Sequence, residues 1–398
     1  MQSLERLGPF FPGGRIGFLL VHGLAGTPAE MKILGKRLNR YGFTVLCPQL
    51  VGHCSSEEEL ITTCWSDWSR SVEDAFDALS RHMDAVFVGG LSAGAVLSLR
   101  HAQRRPGLAR GLALYSTTLR YDGWTIPKLS FLLPLILKLP YFGRRYRFEE
   151  AFPYGIMDDK LRGRILAQMQ GGDAAAAGFT ATPGASLKQL WGLVAEVKRG
   201  LPRVATPALI VHASNDDIAS AASNALYVRD HIGGPAELLL LDKSYHMVTI
   251  DQERNAVGDA TARFAYSLLT VGERERLAAV AREPIPAPPA GDREAALKTP
   301  AAGPGVSGAP RASAGAAGNA EVSGTPRSGG ASDEEAAGGS RPGGVCAGAA
   351  TDAAGVAAAD VPPASGDAPG SRAADIAPPS PVPPIAERAE KAAEREVS

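Results

Sequence analysis

Between Arg15 and Leu269, short apolar runs alternate with longer stretches whose apolar residues recur at three- and four-residue steps. The runs Arg15–Val21, Phe43–Cys47, Ala85–Gly89, Leu108–Tyr115, Ala208–Ala213 and Glu237–Leu241 predict strands. The stretches Ala29–Arg40, Trp65–Arg81, Ala221–His231 and Ala256–Leu269 predict helices, and another runs from Ala95 to Gln103. In the second of these, Trp65, Trp68, Val72, Ala75, Phe76 and Leu79 fall on one helical face. Alternation of this kind builds an α/β fold, a mostly parallel sheet with helices on both faces.

The pattern breaks over residues 119–207. Leu129–Leu139 is strongly apolar but interrupted by Pro134, and Tyr141–Arg147 follows it. A Gly/Ala stretch at 171–178 and an amphipathic helix over Ser186–Arg199 complete the insertion. As a group these segments read as an insertion into the alternating pattern. A second change comes after Tyr266, the last aromatic residue. Over 283–398, Ala, Gly, Pro and Ser predominate, with too little apolar surface to offset the entropy of ordering the chain. The expected organisation is a catalytic unit over 1–282 and a disordered tail whose protein partner, if any, is unspecified.

A net charge of -1 argues against bulk electrostatic attraction to nucleic acid or anionic lipid. The cysteines, Cys47, Cys54, Cys64 and Cys346, form neither a disulfide framework nor a close metal-ligand pair. The N-terminal residues show no basic region leading into a long apolar core, and no apolar run reaches spanning length. A soluble, cytoplasmic protein without stable membrane insertion is expected.

The chemistry concentrates at Gly90-Leu91-Ser92-Ala93-Gly94, between an apolar strand and a helical stretch. Glycines at such a junction allow a turn tight enough to thrust the Ser92 hydroxyl clear of the sheet. A serine hydroxyl is a poor nucleophile and needs a base, which in turn needs an orienting carboxylate. His246 lies in a loop just after the strand Glu237–Leu241, whereas His212 falls inside a strand and reads as core. Asn215-Asp216-Asp217 follows the strand Ala208–Ala213. Asp216 is the first choice of carboxylate and Asp217 remains an alternative; Asp242 is too close to His246 to be preferred. An oxyanion needs N–H donors, for which the backbone amides of Ala93 and of Leu24, after His22-Gly23, are candidates. His22 itself reads as a brace for that loop.

These pieces resemble the bacterial carboxylesterases and monoacylglycerol lipases of the α/β-hydrolase superfamily over 16–269. The matching segments are Leu20-Val21-His22-Gly23 with Gly26, Leu34-Gly35, Tyr41-Gly42-Phe43, Gly52-His53, Asp67-Trp68, the Ser92 segment and Tyr245–Asp251. Ala95 stands where a further glycine is often found. The resemblance implies an α/β-hydrolase fold with an inserted lid, Ser92 as nucleophile, Asp216 as orienter and His246 as general base, with no metal or organic cofactor. It implies hydrolysis of small acyl esters, short to medium in chain length. Thioesters, lysophospholipids or amides are the alternative substrates, and a non-catalytic binding protein is a further one.

Overall fold

The computed structural model describes residues 2–127, 130, 133, 146–149, 151–170 and 181–287. The elements run α1 (Gln2–Glu5), β1 (Phe10–Phe11), β2 (Ile16–Val21), α2 (Ala29–Arg40), β3 (Thr44–Leu46), α3 (Glu57–Thr62), α4 (Trp65–Ser80), β4 (Ala85–Leu91), α5 (Ala93–Arg104) and β5 (Leu112–Tyr115). The insertion contributes β6 (Arg147–Glu149), α6 (Asp159–Gln170), β7 (Ala181–Pro183) and α7 (Gly184–Gly200). Then come β8 (Ala208–Ala213), α8 (Tyr227–His231), β9 (Ala236–Leu241), α9 (Arg254–Ser267) and α10 (Val271–Val280).

The main sheet has seven strands in the order β1-β3-β2-β4-β5-β8-β9. Only the edge pair β1–β3 is antiparallel. β2 and β4 lie in register from Ile16 opposite Ala85 to Val21 opposite Gly90, so the loop after β2 and the turn after β4 leave the sheet side by side. Side chains alternate across the strands. Leu19 and Val21 therefore join a core with α4 and α5, while Phe18 and Leu20 join one with α2 and α9. The result is the α/β-hydrolase fold.

Several boundaries differ from the pattern-based reading. The strand expected from Leu108 begins at Leu112, because Pro106 and Gly107 (φ +79°) make a turn that leaves Leu108 exposed. The helix expected over Ala221–His231 opens with a π-turn at Ala222–Leu226. There Asn224 buries its amide, and its Oδ1 accepts the amides of Leu119 and Arg120 at 2.7 and 2.8 Å. α10 follows the last helix expected, and Thr270-x-x-Glu273 closes as its capping box. After it, the Arg282 and Glu283 amides donate to the Arg40 carbonyl and Ile285 packs on the core, so the body continues slightly beyond the expected boundary.

The insertion divides by role. Leu190, Leu193, Val194 and Val197 bury one face of α7 in the main core, against α4 and α5. That helix belongs to the body. β6 and β7 form a separate antiparallel pair, with Arg147 opposite Pro183 and Glu149 opposite Ala181. Residues 134–145, 171–180 and 288–398, which include most of the apolar Leu129–Leu139 stretch and the tail, lie outside the described residues.

Candidate active site

Ser92 stands between β4 and α5 with φ 56° and ψ -115°, a strained conformation for a residue bearing a side chain. The flanking glycines are what permit it. A Cβ on Gly90 would lie 2.3 Å from the Gly94 carbonyl carbon, and one on Gly94 would lie 2.2 Å from the Val21 carbonyl oxygen. The Ser92 amide donates to the Tyr115 carbonyl at 2.9 Å, which pins the turn to β5. Thr118, which no sequence motif singled out, lies with its Oγ1 3.0 Å from Ser92 Oγ. The Thr118 hydroxyl donates to the Ser116 carbonyl at 3.1 Å, so in this arrangement Ser92 is the donor to Thr118.

Asp216 and His246 project from the carboxyl ends of adjacent strands, β8 and β9, where α/β sheets gather their sites. His246 Nδ1 lies 2.9 Å from Asp216 Oδ2 and 3.1 Å from Oδ1. Both residues are buried. Burial alone would raise the Asp216 carboxyl, but His246, His212 and the Ala219 amide outweigh it and hold the group below its ordinary range. An ionised carboxylate can only accept, so Nδ1 of His246 carries the proton and leaves Nε2 as the basic nitrogen.

Asp217 is placed differently. Its Oδ2 accepts the Gly155 amide at 2.9 Å and its Oδ1 the His246 amide at 3.3 Å, and burial pushes its carboxyl up. It ties the His246 backbone to the insertion. Asp251 does related work, accepting the amides of Met157, Asp158 and Tyr245 at 2.8, 3.0 and 2.9 Å. His212 is buried in β8, donating Nε2–H to the Ala219 carbonyl at 2.7 Å and standing 3.3 Å from Asp216.

On the opposite side of Ser92 is the loop after β2. His22 Nδ1–H donates to the Gly23 carbonyl at 2.8 Å and its Nε2 accepts the Leu50 amide at 3.2 Å. Burial, with His53 beside it, pushes His22 down to about 3. It braces the loop and is not a base at neutral pH. Leu24 lines the same cavity as Ser92 and His246. Ala93 opens α5, where helix geometry leaves the first amides without intrahelical acceptors. Glu30, on α2, also reaches this cavity. Burial raises its carboxyl to about 7 against the opposing bonds from the Gly23 and Thr27 amides. Nothing in the sequence pattern marked it.

The cavity has a volume of about 290 Å³. Ile33, Tyr121, Phe148 and Leu187 line it from the body and the β6–β7 pair, and Leu161 and Ile165 from α6. Ser92, Glu30 and His246 are among its polar lining residues, with Arg162 contributed by α6. There Arg162 donates to the Ile156 carbonyl and pairs with Asp159.

The profile of the serine aminopeptidase, S33 family matches residues 15–253, spanning the sheet from β2 through the His246 loop. The chain belongs to that family. Within it, the hydrolase is 29% identical to a thermostable monoacylglycerol lipase of Bacillus sp. (strain H-257), over 64% of this chain and 93% of the relative. It is 27% identical to a carboxylesterase of Bacillus subtilis (strain 168), over 65% of this chain and 96% of the relative. Among solved structures it matches one described with LipS and LipT, two metagenome-derived lipolytic enzymes, at a TM-score of 0.55 and 25% identity. That match covers 65% of this chain and 96% of the other. The Paleococcus ferrophilus monoacylglycerol lipase shares the fold at a TM-score of 0.55 and 17% identity, over 66% of this chain and 98% of that structure.

Proposed function

We propose that the chain is a serine hydrolase of carboxylic esters, acting through an acyl-enzyme on uncharged acyl groups of short to medium length. The observation that carries this reading is the buried Asp216–His246 pair, at 2.9 Å, opening onto the same cavity as the strained Ser92 turn. In the proposed cycle His246 Nε2 takes the Ser92 proton as Oγ bonds to the acyl carbon. The developing oxyanion accepts from the Leu24 and Ala93 amides. Collapse breaks the ester C–O bond, and His246 delivers the proton to the departing alcohol. Water then repeats the sequence, attacking the acyl carbon while His246 takes its proton, and releases the acid with Ser92 restored.

An uncharged acyl chain suits the apolar cavity wall, and a monoacylglycerol is one substrate that fits this description. The likeness to the Bacillus lipase and carboxylesterase supports ester over amide chemistry. No helix among the described residues is long and apolar enough to cross a membrane. The test is Ser92→Ala assayed on a series of acyl esters and with a serine-directed fluorophosphonate. Turnover and labelling both disappear if the reading is right; a labelled or active S92A protein overturns it. Comparison of kcat/KM for matched esters, thioesters and amides assigns the bond cleaved.

A further inference from the structure

The loop after β2 turns sharply. Ala25 sits at φ 60°, in the left-handed region that a residue with a side chain occupies at a cost. Within the loop, the Gly26 amide reaches the Gly23 carbonyl only at 3.3 Å. Such a turn needs support from outside, and the observed support is a carboxylate. Glu30 Oε2 accepts the Gly23 amide at 2.8 Å and Oε1 accepts the Thr27 amide at 3.2 Å, one on each side of Leu24. At the other end of the residue, the Glu30 carbonyl accepts the Thr249 hydroxyl at 2.9 Å, which joins α2 to the segment after His246.

Gly26 fits this arrangement. A Cβ there would lie 1.7 Å from Glu30 Oε1 and 2.6 Å from its carboxyl carbon, and the three nearest atoms all belong to Glu30. Gly26 is not among the residues with positive φ, and the atoms that an alanine Cβ there would have to displace first are those of the Glu30 carboxylate. By contrast, a Cβ on Gly23 would meet nothing closer than 3.4 Å. The small residue stands where the carboxylate makes its closest approach.

We propose that Glu30 is a positioning residue for catalysis. Its carboxylate clamps the Gly23 and Thr27 amides so that the Leu24 N–H between them is held for the oxyanion, and Gly26 is glycine to let the clamp close. This rests on the reading of Leu24 as an oxyanion donor. Each Glu30 oxygen accepts one amide, whereas a glutamine can accept only one of the two and turns its NH2 toward the other.

The test is a double-mutant cycle on the full chain with Glu30→Ala and Gly26→Ala, and Glu30→Gln as the size-matched variant. Each single variant is expected to lower kcat by about tenfold or more, with KM within about twofold of the parent. Affinity for an acyl trifluoromethyl ketone, which forms the oxyanion on Ser92, should fall in parallel. Gly26→Ala should add nothing once Glu30 is alanine, because the atoms it displaces are gone. The clamp is overturned if Glu30→Gln keeps parental kcat and ketone affinity, or if the Gly26 and Glu30 losses multiply. Should E30A fail to fold, as judged by circular dichroism and Tm, Glu30→Gln alone carries the test through kcat and ketone affinity. Ser92→Ala separates the two claims: activity in S92A overturns the serine mechanism, whereas an inactive S92A beside a fully active E30Q overturns the clamp alone.

Discussion

Asp216 meets the His246 ring, whereas Asp217 spends both oxygens on backbone amides, one of them on the insertion at Gly155. Substitution of each by asparagine should therefore fail in different ways. Asp216→Asn keeps the shape but no longer fixes the His246 tautomer, so kcat should drop by about 10³- to 10⁴-fold, far more than in the neighbouring variant. Asp217→Asn can accept only one of its two amides, so Tm should fall while kcat falls less than about tenfold. Thermal melts beside steady-state kinetics distinguish them, and an exchange of the two patterns would reverse the assignment. Two adjacent residues of the same type could not be separated by sequence, because what distinguishes them is which partner each side chain reaches across β8 and β9.

At the scale of elements, α6 and α7 come from one insertion yet do different work. Leu190 on α7 is buried in the main core, so Leu190→Ala should cost about 2–5 kcal/mol and lower Tm without altering acyl-chain preference. Ile165 on α6 lines the cavity. Ile165→Trp should move the preferred ester toward shorter chains and leave Tm within a few degrees of the parent. Rates across a series of p-nitrophenyl esters and a melting curve for each variant check both statements. The amphipathic pattern of Ser186–Arg199 announced a helix, and that helix formed as Gly184–Gly200. Its apolar stripe could not say whether it faced the sheet core or a substrate, since both bury the same side chains.

For the molecule as a whole, buried histidines contribute to the response to acid, and burial lowers His22, His53, His101 and His212 alike. Burial pushes His22 down to about 3, and His53 and His101 to about 4, from an ordinary value of 6.5. Between pH 6.5 and about 4 these imidazoles take protons in the unfolded chain and not in the folded one, so their contribution to stability falls as pH drops. Glu30, raised to about 7, takes its proton first in the folded chain and works the other way. The depressed Asp216 and Glu273 carboxyls extend the loss below the ordinary carboxylate range. His101 offers a clean test. It packs against Phe76, with ring centroids 4.4 Å apart, and neither ring nitrogen has a hydrogen-bond partner among the described residues. His101→Leu should raise Tm by about 2 °C or more at pH 7, and its Tm should drop less than the parent's between pH 7 and 5. An unchanged slope would mean that the His101 imidazole takes its proton as readily in the folded chain as in the unfolded one.

The alternation of apolar runs settled the parallel sheet and nearly all its strands, because period-two and helical spacing are local consequences of burial on a sheet or against one. The glycines around Ser92 marked the sharp turn for the same reason: backbone geometry restricts residue type at the position itself. Tertiary structure alone decided which carboxylate meets His246, that Thr118 reaches Ser92, and that the Glu30 carboxylate lies against Gly26. Each of those is a contact between segments far apart in the chain or between neighbours that differ only in direction. Spacing along a sequence carries no record of either until the strands are laid side by side.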